Sequence, residues 1–499
     1  MDYSESFIIS IYVFTLVVLS IFGVHRYLMV YLYYRYRHRS PGELPFDSTQ
    51  APRVTVQLPI YNEYYVAERL IDAVAELDYP RDRFEVQVLD DSTDETQGVA
   101  RRAVERHREA GLNIHYIHRT NREGFKAGAL DAGLKSATGD FVAIFDADFI
   151  PPKDILTRAM PHFAKPEIGL VQMRWEHLNR DSSLLTRVQS VMLDGHFVIE
   201  HTARNCSGRF FNFNGTAGIW RCQAIKDAGG WEHDTLTEDM DLSYRAQMAG
   251  WKFLYLPHVA APGEVPIEIN AFKSQQHRWT KGAIQVARKL MGPIWRSNIP
   301  LKNKIEASFH LANNFSYLLM LVLSLIMWPA MKIRAEYGIF GLWWDVPLLF
   351  AATFSVWAFY GCAQIELRKG GWRNIMYLPA LMALGIGLTL NNAKAVLEGL
   401  SKQTGEFVRT AKFRDDGLGA KVDWRRFRYN ASSSIMPVLE LAMGLYFSML
   451  VGQAWLEEEY AALPFLLLFQ AGYLYVALLS FLQRPLAALL SRKNAPAAL

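Results

Sequence analysis

Two aspartates stand two residues apart in Phe145-Asp146-Ala147-Asp148-Phe149, directly after the apolar run Phe141–Phe145. Carboxylates spaced this way at a strand end suit a hard divalent cation whose other ligands are phosphate oxygens. The same residues also suit a solvated turn before Pro151-Pro152. Asp90-Asp91-Ser92-Thr93-Asp94 closes a second apolar run. Ser92, Thr93 or Asp94 can cap the helix that follows, which leaves Asp90 to accept hydrogen bonds from a nucleotide base or ribose. Lys126, within Gly124-Phe125-Lys126-Ala127-Gly128, opens a helix in which its charge opposes the dipole. A ligand phosphate or a neighbouring carboxylate would relieve that cost; an exposed lysine is the plainer alternative. Thr237-Glu238-Asp239-Met240-Asp241 starts a helix running to Met248. Acidic residues there complement the dipole, and one of them can act as a general base if it reaches an acceptor hydroxyl. Gln275-Gln276-His277-Arg278-Trp279 places an amide, a guanidinium and an indole on one helical face. Arginine can grip a pyrophosphate bidentately and tryptophan offers a flat face to a sugar ring. Both residues also serve as anchors at a membrane surface.

These residues need elements to hold them. From Arg53 to about Pro257 the pattern switches every ten to fifteen residues, as βα units do. Strands are expected at Val54–Leu58, Glu85–Leu89, Asn113–His118 and Phe141–Phe145, with helices at Glu63–Leu77, Asp94–Ala110 and Phe125–Lys135. In an open parallel sheet, ligands sit beyond the carboxyl ends of strands. Asn62, Asp90 and Asp146 all fall at such ends. No Walker loop, GxGxxG fingerprint or GxSxG elbow is present, so P-loop, nicotinamide and hydrolase chemistries have no anchor.

The rest of the chain is apolar. Of 499 residues, 51% are hydrophobic and 20% charged, which excludes a disordered chain and argues against a wholly soluble one. A net charge of +4 without a long basic run gives no footprint for nucleic acid. Cys206, Cys222 and Cys362 lack metal-ligand spacing and read as reduced thiols. Phe7–Val24 is long enough for most of a bilayer crossing and leads into Arg35-Tyr36-Arg37-His38-Arg39. Acidic Asp2 and Glu5 stand where a signal peptide would be basic, so the segment reads as a retained anchor with its N-terminus outside. Further apolar runs are Phe315–Met331, Val346–Cys362, Ile375–Leu390, Ser434–Val451 and Leu463–Leu482. Crossing at all five would place Ser401–Asn430, with Arg425 and Arg426, outside, against the positive-inside rule. Ile375–Leu390 carries Pro379, Gly385 and Gly387 before Asn391-Asn392 and is expected to be interfacial or re-entrant. Arg368–Arg373 and Arg492-Lys493 then lie inside and Glu457–Glu459 outside, for five crossings in all.

With these motifs in this order, the chain resembles the processive family-2 glycosyltransferases, among them the cellulose, chitin and hyaluronan synthases. The stretches Gln87–Asp94, Lys126–Leu130, Phe145–Phe149, Phe213–Gly218 and Gln275–Trp279 are most similar to the cellulose-synthase-like A and C group, which in plants makes β-1,4-mannan, glucomannan and xyloglucan backbones. The resemblance implies an α/β fold, a nucleotide-sugar-binding GT-A-type domain inserted in an α-helical transmembrane bundle. It implies donor contacts at Asn62, Glu63, Asp90, Lys126, Asp146, Gln275 and Arg278, and Mg2+ or Mn2+ at Asp146 and Asp148. Asp239 would be the catalytic base. Trp279, Asn214, Gly215, Thr216 and Glu238 would face the acceptor, and Phe407, Thr410 and Lys412 would belong to a gating loop. Arg409 departs from the FxVTxK form of that loop. No PilZ-like segment with an RxxxR switch follows, so direct cyclic-di-GMP control is not implied.

The expected organisation is an anchor over 1–40, a cytoplasmic transferase domain over 45–265 and interfacial helices over 266–305. Transmembrane and interfacial helices over 306–400, a cytoplasmic gating segment over 401–433 and C-terminal transmembrane helices over 434–486 follow. The expected activity is inverting transfer of a hexose from GDP-mannose or UDP-glucose to a growing β-1,4-linked polysaccharide, with extrusion through the membrane. Short loops and one N-terminal anchor suggest a bacterial plasma-membrane protein embedded in lipid, a setting compatible with accessory export subunits. The rival is a non-processive transferase making a glycolipid of the glucosyl-diacylglycerol type. A degenerate scaffold protein would have lost a carboxylate or the tryptophan, and neither is missing.

Overall fold

The computed structural model describes residues 1–339, 342–367, 371–401, 410, 412, 414–415 and 434–493, with 342–345 and 484–493 described by backbone alone. Phe407, Arg409, Arg368 and the Arg425-Arg426 pair lie outside the described residues.

Helix α1, Tyr3–Tyr36, begins at a capping box in which the Asp2 carboxylate accepts from the Glu5 amide at 2.8 Å and Glu5 returns the bond to the Asp2 amide at 2.8 Å. The acidic residues that argue against a signal peptide thus have a local role as a helix start. A seven-stranded sheet follows, β1 Val54–Ile60, β2 Phe84–Asp90, β3 Ile114–His118, β4 Phe141–Ile144, β5 Ile168–His177, β6 Gly218–Arg221 and β7 Lys252–Gly263, in the order β3-β2-β1-β4-β6-β5-β7. β1, β2, β3 and β4 are mutually parallel. β6 runs antiparallel to both β4 and β5, and β7 parallel to β5. The sheet is therefore mixed, where the alternation of elements suggests a parallel one.

β1 also continues through Pro59 to Ile60, past its expected end at Leu58. Gln57 faces β4, receiving the Phe145 amide, and Pro59 points the same way, where β4 pairing has already ended. Its missing N–H therefore costs no ladder bond. Strand side chains alternate between two cores. Val54, Val56 and Leu58 pack with Leu70, Ile71 and Val74 of α2, Ala67–Ala75, and with Ala100 and Ala103 of α3, Thr96–Glu109. Val142 and Ile144 face the other way, toward Leu130 of α4, Phe125–Ser136, and toward Trp220 and Leu242. Gly133 lets α4 approach closely: a Cβ there would lie 2.6 Å from Gln57 Nε2.

Among the described residues, five helices are long and apolar enough to cross a membrane: Tyr3–Arg39, Phe315–Glu336, Val346–Leu367, Met436–Leu456 and Leu463–Gln483. The stretch expected to be re-entrant forms a broken pair, Gly371–Gly387 and Thr389–Leu400, bent by 48°. A Cβ on Gly387 would lie 2.3 Å from the Gly472 carbonyl, and one on Gly472 2.3 Å from the Ala383 carbonyl. Small residues on both sides let this pair and the last helix pack backbone to backbone. Just past the bend, Asn391 Nδ2 donates to the Lys273 carbonyl at 3.0 Å, satisfying a polar group at the apolar helix crossing. Cys206, Cys222 and Cys362 are free.

Candidate active site

The parallel strands β1, β2 and β4 end on one side of the sheet, and the loops beyond them bound two adjoining spaces. The larger, a cleft of about 810 Å³, is lined by Lys126, Asp146, Asp148, Asn214, Gly215, Glu238, Asp239, Gln275, Arg278, Trp279 and Lys412 among others. The second, about 630 Å³, lies toward β1 and β2 and shares Lys126, Asp146, Asp148, Arg278 and Lys412 while adding Tyr61, Glu63, Asp91, Arg122 and Thr410. Sequence patches separated by up to 353 positions (from Pro59 to Lys412) thus meet in one place.

Each group is held by its element. Asp146 leaves β4 with its amide bonded to Thr216 Oγ1 at 2.8 Å. The Lys126 ammonium at the start of α4 bonds to the Asp146 carboxylate and, at 2.8 Å, to the Gly215 carbonyl. Burial opposes its charge, but Asp146 and Glu238 outweigh that and raise its pKa. The lysine that looks misplaced at a helix start is therefore the counter-ion of the first DxD carboxylate. Asp148 is buried and its carboxylate bonds to the Lys412 ammonium. The two carboxylates thus present hard oxygens, each balanced by a cationic nitrogen. That donor set fits a divalent cation.

Glu238 and Asp239 form the first turn of the helix Glu238–Met248. Burial, reinforced by the neighbouring Glu238 and opposed by Lys126, pushes Asp239 up to about 7. Burial also raises Glu238. A carboxylate poised near neutral pH in a cleft is the arrangement a general base requires. Gln275, Arg278 and Trp279 lie three and four residues apart on the 28-residue helix Ile269–Arg296, so they share a face, and all three line the larger cleft. Burial lowers Arg278, while Glu238, Asp146 and Asp239 act to keep it charged.

Three expected site residues stand elsewhere. Asp90 lies fully buried behind the wall: Tyr116 donates to it at 2.6 Å and the Ser92 amide at 2.8 Å. Its neighbour Asp91 lines the smaller space instead, gripped by Arg119 at 2.7 Å. The alternation of side chains at the end of β2 decides which of the pair faces the ligand side. Asn62, at φ +52°, braces β1 against β2, its amide bonded to Ser92 Oγ and its side-chain oxygen to the Thr93 amide, both at 2.8 Å. Thr216 is buried beneath Asp146, where it supports the DxD turn and is absent from the cleft wall.

Other lining residues carry no recognisable sequence signal. Trp175, Glu176 and His177 end β5, and Gly263 ends β7 with Glu264 and Val265 just beyond it. They meet because Glu176 pairs with Pro262 and His177 with Gly263 across the sheet. Arg122 stacks 3.4 Å over the Tyr61 ring at the rim of the smaller space.

Residues 52–282 match the family described as "Glycosyltransferase like family 2". Across a far longer stretch, the chain is 41% identical over 420 residues to glucomannan 4-beta-mannosyltransferase 9 of Arabidopsis thaliana, covering 81% of this chain and 76% of that one. The chain belongs to the family 2 glycosyltransferases. It is also 37% identical over 417 residues to glucomannan 4-beta-mannosyltransferase 7 of the same plant, covering 80% of this chain and 71% of the other. The fold is shared with a mannosyltransferase from Pyrobaculum calidifontis solved with GDP-Man and Mn2+, at a TM-score of 0.53 and 23% identity, over 78% of this chain and 100% of that one. This transferase therefore combines a GT-A-like sheet domain with helices suited to a membrane.

Within that domain, Gly215 is a close joint against the site's charged groups. It sits at φ +82°, and a Cβ there would lie 3.0 Å from Asp239 Oδ2 and 3.5 Å from the Lys126 ammonium. Gly215→Ala is expected to reduce transfer by at least about tenfold, through backbone strain of about 1 kcal/mol and displacement of Asp239. Steady-state assays beside a thermal melt check this: a melting temperature close to that of the parent locates the loss in the site.

Proposed function

We propose that this family 2 enzyme transfers mannosyl units, with inversion, from GDP-mannose to the end of a β-1,4-linked glycan, and that the product passes outward between its membrane helices. The observation that carries the proposal is the convergence of Asp146, Asp148, Asp239, Arg278 and Trp279 on one cleft, in a chain whose relatives are named as glucomannan mannosyltransferases.

The smaller space, with Tyr61, Glu63, Asp91 and Arg122, suits the nucleoside, and Arg278 and Lys126 suit the diphosphate. Asp146 and Asp148 would hold Mg2+ or Mn2+, which would neutralise charge on the departing diphosphate. Trp279 gives the acceptor sugar a flat face in the larger cleft. Asp239 accepts the proton of the acceptor hydroxyl as that oxygen attacks the anomeric carbon from the face opposite the nucleotide. The α-linkage of the donor thereby becomes a β-linkage, and no covalent enzyme intermediate is needed. Lys412 lines both cavities and Thr410 the smaller one; Thr410 is buried with its hydroxyl unpartnered among the described residues.

Support for extrusion comes from polar groups between the apolar helices. Tyr360 is within electrostatic reach of Glu200, Arg26 and Tyr317, and Tyr317 of Arg26 and Asn392. Hydroxyls, an amide and charges gathered in that region suit a sugar chain. A lipid tail would find no such match.

The test is to incubate the purified protein with GDP-mannose or UDP-glucose and a divalent cation, then digest the product. Mannan sensitive to a β-1,4-mannanase supports the proposal; an organic-soluble glycolipid would point to the non-processive rival. Trp279→Ala is expected to raise the acceptor KM by about tenfold, given ~1–3 kcal/mol for a lost aromatic face, with little change in GDP affinity. Equal loss of both in a binding titration argues against stacking.

A further inference from the structure

Asn214, on the wall of the larger cleft, has its carboxamide held between two imidazoles. Its Oδ1 lies 2.6 Å from His201 Nε2 and its Nδ2 3.0 Å from His196 Nε2. His196 Nδ1 lies 2.8 Å from the Glu200 carboxylate. The residues between, Gly195–Glu200, form a π-helical turn, a local widening common where a helix serves a site. The chain of contacts continues from Glu200 to Arg204 at 3.4 Å, from Arg204 to Glu306 at 2.9 Å and from Glu306 to His25 of α1 at 3.2 Å.

With His196 neutral, donor and acceptor counting orients the Asn214 amide. Burial pushes the Glu200 carboxyl up, but Arg204 and His196 prevail and hold it well below the usual range, so it can only accept. His196 must then carry its proton on Nδ1 and offer a lone pair at Nε2. That lone pair faces the Asn214 NH2, which turns Oδ1 toward His201 and requires a proton on His201 Nε2. The remaining nitrogen, His201 Nδ1, is fully enclosed with no hydrogen-bond partner among the described residues. Burial, with the Arg204 guanidinium nearby, keeps this imidazole neutral. Flipping the Asn214 amide would strand an N–H at that partnerless position, which costs more than a bare lone pair.

Resting on the proposed transfer reaction, we infer that His196, Glu200 and His201 are positioning residues that lock the Asn214 carboxamide in one orientation at the acceptor end of the cleft. The lock matters because the next residue, Gly215, carries the carbonyl that holds Lys126 and lies against Asp239. Charged and titratable groups acting on the lock are Glu200, Arg204 and His201 from its own stretch, His310 from the helix Leu301–Ala312, and Tyr360, which Glu200 influences.

Two measurements test the lock. In the first, His196→Phe keeps the bulk and removes the lone pair, while His196→Gln keeps an acceptor. With GDP-mannose and a β-1,4-linked mannooligosaccharide, His196→Phe is expected to raise the acceptor KM by about tenfold, the usual effect of orphaning one buried polar group, with GDP affinity within twofold of the parent and partial rescue in His196→Gln. Unchanged acceptor KM, or parallel loss of GDP binding in both variants, overturns the inference. A parent protein that releases no GDP from GDP-mannose would instead contradict the proposed reaction. The second measurement needs no substrate: imidazole 15N spectra of the full-length protein in detergent should show His201 neutral and protonated at Nε2 from pH 5 to 8. A His201 that titrates in that range, or that carries its proton at Nδ1, overturns the lock.

Discussion

Asp239→Asn is expected to leave GDP and GDP-mannose binding within about twofold of the parent and to reduce transfer by about 10²–10⁴-fold, the range for removing a general base. The substitution keeps size and polarity, so Asp239 Oδ1 can still accept from the Met240 amide as it does at 2.8 Å. Only proton acceptance is removed. The same carboxyl sets the pH profile. Burial and the nearby Glu238 raise its pKa to about 7, so below that value the base is protonated and idle. Turnover in kcat/KM should therefore rise with pH through neutrality and level off above about 8, whereas an unperturbed aspartate would already be active at pH 5. Loss of that rise in Glu238→Gln, with its plateau reached at lower pH, would identify Glu238 as the neighbour responsible. A flat profile from pH 5 to 8 in the parent would remove Asp239 from the role.

Asp148→Asn should have an effect of similar size. Asp148 is buried, sits at the end of the DxD turn and faces both cavities. Replacing one of the two carboxylates proposed to hold the cation removes a charge that a divalent cation needs, and with it several kcal/mol of leaving-group stabilisation. A fall of at least about 10²-fold is expected, with weaker GDP binding in the presence of Mn2+ and unchanged binding in EDTA. The carboxylate also bonds to Lys412, which supplies the control. If Asp148 served only to anchor that lysine, Lys412→Met would reproduce the entire defect, including its metal dependence.

Much of the site was legible because its groups lie in short contiguous motifs at element ends. The Asp146–Asp148 turn, the Glu238–Asp239 helix start and the Gln275/Arg278/Trp279 face depend on local geometry alone. What was not legible depended on pairings between distant segments. Direction in the second half of the sheet is one case: β6 enters antiparallel after some forty residues of helix and loop beyond β5, and the order of elements does not encode that reversal. Trp175, His177 and Glu264 reach the cleft only through the β5–β7 register. Asp90 and Asp91 are chemically identical in sequence, and only the facing of side chains at the end of β2 separates the buried one from the lining one. The histidine lock shows the same limit. His196, His201 and Asn214 carry no motif between them, and a π turn brings them into contact.

The most direct test of the account is single-turnover transfer by the purified full-length protein in lipid nanodiscs, supplied with radiolabelled GDP-mannose and Mn2+. The account predicts GDP release matched by label in a high-molecular-weight, β-1,4-mannanase-sensitive glycan, and loss of that product in Asp239→Asn with donor still bound. Label recovered in a short glycolipid, or a glycan formed equally well by Asp239→Asn, would contradict it.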